Sequence, residues 1–260
     1  MYLAQNAPLN GWPWAALKCI LLRRFILPQV RVMQATRKRM YDGNKPFLVA
    51  SRSGGDPTDK FPSCRFDWLD ISIYAIPWSK VEEMTSVYLV PPLVPDMLSL
   101  MKAFIDYSRE KRDERFVLLS ASVVEPGGPA AGKVHEHLAR IDVEYCVLRP
   151  TWFMEDLGSS THYLEYEQYR KPIKLAEDNI YSTTGDGKAL FVFAGILGRK
   201  ITHVKLTQLE MASLFYGRNG HAKRIAKGME VTLNSAVLRI TGRPPIRFST
   251  YVKSVRHAWE

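Results

Sequence analysis

The chain has 260 residues, of which 46% are hydrophobic, with three cysteines and a formal net charge of +10. This length and composition predict a globular protein with a full core and exclude a disordered chain. The longest apolar stretch, residues 15–30, is broken by three basic residues and Pro28, so we expect no membrane span and no membrane partner. The cysteines are scattered and form no CxxC pair, which argues against a metal site or a disulfide framework and favours a reduced, cytoplasmic setting.

The positive charge is concentrated at the two ends of the chain, in residues 1–45 and 199–260, whereas acids outnumber bases between them. Basic ends of this kind are typical of solvated surface, so we expect no nucleic-acid partner. The first 41 residues contain no acid, a composition that resembles a mitochondrial transit peptide. Because Pro8 and Pro13 interrupt any long amphipathic helix there, we favour a cytoplasmic protein over that alternative.

From Lys45 onward, short apolar runs alternate with helical patterns, which is typical of βαβ units. This pattern predicts an α/β fold with a Rossmann-like, doubly wound and mostly parallel sheet, followed by a smaller C-terminal α+β region. Asp96 has the residue type and position of a helix N-cap. The predicted strands are Pro46–Ala50, Cys64–Asp67, Ser86–Val90, Arg115–Ala121, Val143–Leu148 and Ile201–Lys205, and the predicted helices are Asp96–Lys111 and Ala131–Arg140.

Ligands of open α/β sheets bind beyond the carboxyl ends of the strands, so the residues after each strand are the candidates for function. Ser51, Arg52 and Ser53 follow the first predicted strand. A guanidinium flanked by hydroxyls suits the 2′-phosphate of NADP, because arginine matches phosphate with two parallel hydrogen bonds. The alternative is a turn arginine that faces solvent.

Two further strand ends are candidates for cofactor contact. Asp67 and Trp68 follow the second strand, where a carboxylate and an aromatic ring suit an adenine, although Asp67 is equally suited to capping a turn. Val90 and Pro91 end the next strand, and the missing proline donor lets a flat ligand pass close to the backbone. A simple strand stop is the other interpretation.

Ser120 and Ala121 end the following strand and are expected beside a nicotinamide, with Ser122 facing the substrate; a structural role for these serines is the alternative. Lys133, near the start of the next helix, is placed to bind ribose hydroxyls. The residue four positions earlier is Pro129, so the Tyr-x-x-x-Lys pair of ordinary short-chain dehydrogenases is absent.

His135 and His137 lie two residues apart on the same predicted helix, so their side chains point in different directions. They therefore do not form a metal-binding pair, and we expect surface or capping roles for both.

These strand ends together resemble a known family. The runs VYLVPP (residues 87–92), LLSASVVEPGGP (118–129) and LRPTWFME (148–155) are similar to the NmrA-like atypical short-chain dehydrogenase/reductases, in particular the fungal agroclavine and festuclavine dehydrogenases of ergot-alkaloid biosynthesis. The resemblance covers roughly residues 44–260.

The resemblance implies an NADP-dependent reductase of a C=N or conjugated C=O bond in a small secondary metabolite. Arg52 would then lie at the cofactor phosphate and Lys133 would be the catalytic lysine at the nicotinamide ribose. Pro150 would add a further cofactor contact. The substrate pocket would be lined by Thr151, Trp152, Phe153 and Met154.

Two departures from the family affect these expectations. The only glycines before Pro46 are Gly11 and Gly43, so the Gly-x-x-Gly-x-x-Gly turn that holds a pyrophosphate is missing, and a segment after Ala194 is also missing. We therefore expect residues 1–41 not to form the first strand and helix of the sheet. An impaired enzyme, an NAD(P)-sensing regulator and an inactive paralogue remain alternatives.

The predicted organisation is an atypical segment at 1–43, an NAD(P)-binding domain at 44–157 and a smaller substrate-side region at 158–260. A monomer or homodimer that acts on a small molecule is expected.

Overall fold

The computed structural model describes residues 2–5, 19–22, 40–44, 46–54, 61–81, 84–92, 94–111, 115–150, 174–176, 179–182, 188–205, 207 and 234–256. The chain divides into two compact units, Met1–Pro150 and Thr151–Glu260. The predicted boundary between residues 157 and 158 lies outside the described residues, so the domain limits drawn from the sequence stay predictions.

The first unit is built on a seven-stranded sheet in the order β1-β7-β6-β5-β2-β3-β4. All neighbouring pairs from β7 to β4 are parallel, and β1 is antiparallel to β7. From β2 the chain winds outwards to β3 and β4, then crosses to β5, β6 and β7 on the other side. This order confirms the predicted doubly wound Rossmann-like class. The strands are β1 (Tyr2–Gln5), β2 (Cys19–Leu22), β3 (Phe47–Ser51), β4 (Ser63–Arg65), β5 (Ser86–Leu89), β6 (Arg115–Leu119) and β7 (Glu144–Arg149).

Strand β2 lies at the centre of the sheet, with Ile20 opposite Leu48 on β3 and Val87 on β5. The expectation that residues 1–41 supply no first strand is therefore wrong for the strand. The physical reason is that a strand paired on both sides forms two hydrogen-bond ladders, so a run of only four residues suffices without a glycine turn behind it. The predicted absence of the glycine turn and of its helix concerns residues 23–39, which are outside the described residues.

Strand β1 covers one edge of the sheet. It pairs with β7 so that Tyr2 lies opposite Arg149 and Gln5 opposite Cys146. An unpaired edge exposes a row of backbone donors and acceptors to other chains. The N-terminal residues therefore satisfy the hydrogen-bonding groups on the outer side of β7.

Three helices of the first unit contribute apolar residues to its core. They are α1 (Ile76–Lys80), α2 (Met97–Glu110) and α3 (Ala131–Arg140), with a 3₁₀ turn at Ile71–Ile73. The side chain of Asp96 accepts a hydrogen bond from the backbone N–H of Ser99 at 3.4 Å, which confirms the predicted N-cap of α2. Among the described residues, no helix combines the length and apolar character needed to span a bilayer.

An aromatic cluster fills the space between α2 and the sheet. Phe66 stacks on Tyr74 at 5.4 Å between ring centroids and meets Phe104 edge to face at 5.1 Å. Trp68 also meets Phe104 edge to face, at 5.3 Å. These rings are almost completely buried and bring large apolar areas out of water, so they anchor α2 to the sheet.

The second unit contains a separate sheet and core. Strand β10 is parallel to β9, and β8 is antiparallel to β9. The predicted strand at Ile201–Lys205 is confirmed. Phe193 and Val252 are buried together with Ile201. The rings of Phe193 and Phe248 pack edge to face, with 5.8 Å between their centroids. The elements are β8 (Lys174–Ala176), β9 (Asn179–Ser182), β10 (Thr202–Lys205), α4 (Lys188–Leu197), α5 (Ala236–Thr241) and α6 (Phe248–Ser254).

The burial of α3 leads to a stability prediction. Leu138 on α3 is fully buried in the core of the first unit, whereas Leu69 in the same unit is 57% exposed. Leu138→Ala should lower the free energy of unfolding by about 2–5 kcal/mol, because it removes buried methyl groups and leaves a cavity. Leu69→Ala should change it by no more than about 0.5 kcal/mol. Urea unfolding measures both, and equal losses would contradict this account of the core.

Candidate functional site

The candidate site lies at the edge where strands β2 to β7 all end, because parallel strands direct their carboxyl ends the same way. The strand order reverses between β2 and β5. In open α/β sheets, such a reversal marks the crevice in which ligands bind. The predicted site residues that the structure describes follow β3, β4, β5, β6 and β7 at this edge.

A tight turn after β3 presents Arg52 and Ser53 to solvent. The carbonyl oxygen of Ser51 accepts hydrogen bonds from the backbone of Gly54 at 3.0 Å and of Phe66 at 2.8 Å. Gly54 has a φ of +73°, which a side chain would strain. Ser51 is buried and its hydroxyl lies 3.3 Å from that of Ser53. The turn is therefore fixed by its backbone, and both the Arg52 and Ser53 side chains are exposed.

The residues after β4 serve the turn and the core. A carboxylate oxygen of Asp67 accepts a hydrogen bond from the backbone of Leu69 at 3.1 Å, which is the turn-capping alternative anticipated from the sequence. Trp68 is 1% exposed and belongs to the aromatic cluster. Its indole nitrogen has no hydrogen-bond partner among the described residues. This burial favours a core role for the Trp68 ring, and its predicted contact with adenine stays a prediction.

The end of β5 is apolar and lies where the strand order reverses. Val90 and Pro91 are both buried, and Val90 is completely inaccessible to solvent. Because they carry no polar side-chain atom, they can line a flat ring but cannot orient one. Orientation must come from polar groups on the neighbouring strand ends.

Ser120 places a buried hydroxyl at the end of β6. Its backbone N–H donates to the Leu148 carbonyl at 2.8 Å, and that of Ser122 donates to the Pro150 carbonyl at 2.9 Å, so the pairing of β6 with β7 continues past the strand ends. Within the part of the chain that the structure describes, the Ser120 hydroxyl has no hydrogen-bond partner. A buried, unpaired hydroxyl costs about 1–3 kcal/mol. This group is therefore suited to bonding a bound ligand.

A compact loop leads from Ser122 to α3. The backbone N–H of Gly127 donates to the carbonyl of Gly132 at 2.8 Å. A Cβ atom at Gly132 would collide with the carbonyl oxygen of Glu125, so only glycine fits there. Ala130, with a φ of +52°, directly precedes the helix. This folded loop holds the start of α3, and with it the exposed Lys133, against the residues that follow β6.

Arg149, the last residue of β7, is a site residue that sequence reasoning missed. Its Nη2 atom donates to the Ser122 carbonyl at 2.7 Å, and its Nε atom to the Ala121 carbonyl at 3.4 Å. It also forms an ion pair with the Glu125 carboxylate. The only sequence signal was its position, directly after the predicted strand Val143–Leu148 and before Pro150.

The expected surface or capping role of His135 is wrong. His135 is 2% exposed and lies 5.9 Å from the ring of Tyr145 on β7. Burial, followed by the nearby Arg149 cation, lowers the pKa of His135, whereas Glu125 acts in the opposite direction. The side chain is buried because α3 packs this face onto the sheet. His137 is half-buried, and its ring nitrogen lies 3.2 Å from the Asp106 carboxylate.

The predicted substrate-pocket residues Thr151, Trp152, Phe153 and Met154 lie outside the described residues. Their roles stay predictions that rest on the family resemblance.

Comparison with known proteins decides the family. Festuclavine synthase II of Penicillium roqueforti (strain FM164) is 34% identical over 270 residues, covering 82% of this chain and 91% of the relative. Agroclavine dehydrogenase of Claviceps purpurea (strain 20.1) is 33% identical over 270 residues, covering 83% and 91%. The chain belongs to the festuclavine synthase and agroclavine dehydrogenase family. It is an oxidoreductase by this membership, as the sequence predicted.

The fold of this family member is shared with distant reductases. Triphenylmethane reductase from Citrobacter sp., solved as a complex with NADP(H), aligns with a TM-score of 0.65 at 8% identity and covers 92% of this chain and 100% of that chain. At this identity the likeness shows the Rossmann-like fold alone. No protein-family model matches the chain.

The buried His135 predicts how the stability of this oxidoreductase depends on pH. Its folded-state pKa lies below the ordinary value of 6.5, so the unfolded chain takes up the proton first as the pH falls. The contribution of His135 to the free energy of unfolding is therefore fully present above about pH 6.5. It is lost as the pH falls from there towards the folded-state pKa of His135.

Urea unfolding between about pH 7.5 and 5.5 should show a falling free energy of unfolding in the wild type and a shallower fall in His135→Leu. Val134→Ala replaces the neighbouring, fully buried side chain with another uncharged one. It should lower the free energy of unfolding at every pH and keep the wild-type slope of that free energy against pH. An unchanged slope in His135→Leu would contradict the assignment.

Proposed function

We propose that this oxidoreductase uses NADPH to reduce a C=N (iminium) or conjugated C=O bond in a small secondary metabolite. The observation that carries the proposal is the buried, unpartnered hydroxyl of Ser120 at the edge where the parallel strands end. The names of the relatives, which act as festuclavine synthases and agroclavine dehydrogenases, support the substrate class. NADPH supplies the hydride, and this chain supplies binding, orientation and exclusion of water.

The turn after β3 is the proposed site of the adenosine 2′-phosphate. The exposed Arg52 guanidinium, with the hydroxyls of Ser51 and Ser53, offers charge-assisted donors to a phosphate. Residues 50–55 contain no carboxylate that would bind a free ribose 2′-hydroxyl and repel the phosphate, and Asp56 is the first acid after the strand. The presence of NADP(H) in the triphenylmethane reductase structure supports the same choice for this fold.

The nicotinamide end is proposed to lie between Ser120 and Lys133. The Ser120 hydroxyl would gain the hydrogen bond it lacks, and the exposed Lys133 ammonium at the start of α3 would bind ribose hydroxyls. Val90, Pro91, Ala121 and Pro150 would form the walls of the crevice, with Ser122 on the substrate side.

The proposed substrate class agrees with the absence of a tyrosine four residues before Lys133. Pro129 stands where a Tyr-x-x-x-Lys motif would place a tyrosine. An iminium carbon already carries positive charge, so it accepts a hydride to become an amine without taking up a proton. Positioning of the two reactants can then supply most of the rate. A conjugated carbonyl would instead take its proton from water or from a group in the substrate pocket.

The proposed complex lacks the glycine-rich turn that usually binds the cofactor pyrophosphate. A glycine-rich turn normally binds it through backbone N–H groups at a helix N-terminus, and the first 45 residues contain only Gly11 and Gly43. Charge-assisted bonds contribute about 1.5–3 kcal/mol each, so losing several weakens a micromolar site by about three orders of magnitude. Arg23 and Arg24 follow the last residue of β2 in the sequence and are the candidates to replace those amides.

Arg52→Ala should weaken NADPH binding by about 1–3 kcal/mol, because it removes a charge-assisted contact with the 2′-phosphate. NADH binding, which involves no such phosphate, should be unchanged. Arg140→Ala provides the control, since Arg140 is exposed at the far end of α3 and pairs only locally with Glu136 among the contacts described. Calorimetric titration measures all three proteins, and an equal loss for NADPH and NADH would refute the phosphate assignment.

The proposed function is tested by following NADPH absorbance with a panel of cyclic iminium ions and conjugated aldehydes and ketones. Substrate-dependent oxidation, with an NADPH dissociation constant well above micromolar, is expected. Micromolar binding would show that Arg23, Arg24 or another group has replaced the glycine turn. Binding without turnover would favour the NAD(P)-sensing regulator, and no binding at all would favour the inactive paralogue.

The remaining features of the proposal follow from the sequence. A cytoplasmic monomer or homodimer that acts on a small molecule, without a nucleic-acid partner, is the state in which we expect this enzyme to act.

A further inference from the structure

We infer that Arg149 is a positioning residue that locks the loop after β6 and thereby sets the spacing between Ser120 and Lys133. This inference rests on the proposed function, since it assigns a role within the same site. It concerns a residue to which neither the fold nor the relatives' names give a role.

The contacts of Arg149 link two parts of the chain that are distant in sequence. Its guanidinium donates to the consecutive carbonyls of Ala121 and Ser122 and pairs with the Glu125 carboxylate. The Arg149 side chain is 12% exposed, whereas that of Glu125 is 70% exposed. The Arg149 side chain is therefore largely shielded from solvent, with the loop packed against it.

Only a planar group with several fixed donors can make this set of contacts. Arginine presents its N–H groups in a rigid fork, whereas lysine has a single ammonium on a flexible stem. Lysine at position 149 would retain the charge but could not hold two adjacent carbonyls and a carboxylate in one plane. Charge and geometry can therefore be separated by experiment.

Glu125 transmits the position of Arg149 to α3. The carboxylate of Glu125 pairs with Arg149, and its backbone carbonyl packs directly against Gly132, one residue before Lys133. The other end of the locked segment adjoins Ser120, whose backbone bonds to Leu148 on β7. A shift of the loop would therefore move the start of α3 relative to the Ser120 hydroxyl.

This arrangement assigns Arg149 to positioning rather than to chemistry. The donors described above are directed at protein oxygens. A positioning residue should affect the rate of hydride transfer more than cofactor affinity, because a displacement of about 1 Å can cost roughly a hundredfold in rate.

The test compares Arg149→Met, Arg149→Lys and Glu125→Ala in kcat, NADPH dissociation constant and amide hydrogen exchange over residues 120–133. Arg149→Met should lower kcat by about ten- to a hundredfold with a dissociation constant within twofold of wild type. Exchange in the loop should rise. Arg149→Lys should recover only a small part of the rate, because it restores charge without the fork. Arg140→Met, which breaks an exposed pair on α3, is the matched control and should match wild type.

Glu125→Ala keeps the inference testable if Arg149→Met does not fold, since Glu125 is largely exposed. It should raise exchange within the same loop and lower kcat by a smaller factor. Loop exchange equal to wild type in Arg149→Met and Glu125→Ala would overturn the inference, as would full recovery of kcat in Arg149→Lys. Wild-type protein without substrate-dependent NADPH oxidation would contradict the proposed function instead, and the exchange comparison would still decide whether Arg149 locks the loop.

Discussion

Parallel pairing of strands β2 to β7 is the constraint on which the rest of the structure depends. It directs the carboxyl end of each of these strands to the same edge, so residues far apart in sequence, such as Arg52 and Ser120, lie along one side of the sheet. Strand β2 is indispensable to this arrangement, because it pairs with β3 on one side and β5 on the other. Without it the sheet would split at the point where a ligand crevice forms in this fold.

The loop between β6 and α3 fixes the positions of the candidate site residues at this edge. Its glycines permit close backbone approach, Arg149 fixes its carbonyls, and the buried His135 lies beneath it on α3. The groups expected to meet the nicotinamide are therefore held by the core of the first unit.

The sequence predicted the regular elements of the first unit well and its tertiary contacts poorly. Strands β5, β6 and β7 and helices α2 and α3 were found within one or two residues, because their apolar runs and the Asp96 cap are local signals. Strand β2 was missed because four apolar residues within a basic, proline-containing stretch carry no periodicity. Its place is set by partners on β3 and β5, which no local pattern reveals.

The candidate site was predictable to a similar extent. The rule that ligands bind beyond the strand ends selected Ser51 and Ser120 from the sequence. Arg149 was missed, and His135 was wrongly given a surface or capping role. The role of Arg149 depends on carbonyls more than 25 residues away, and the burial of His135 depends on Tyr145 across the packed face of α3. Both are consequences of tertiary packing rather than of residue type and spacing.

We propose that NADPH lies across the carboxyl ends of β2 and β5. A crystal structure of the chain grown with saturating NADPH tests it most directly. We expect an extended cofactor with its 2′-phosphate beside Arg52 and its nicotinamide ribose between Ser120 and Lys133. A cofactor bound at any other edge of the sheet, or a crevice that stays empty at saturating NADPH, would contradict it.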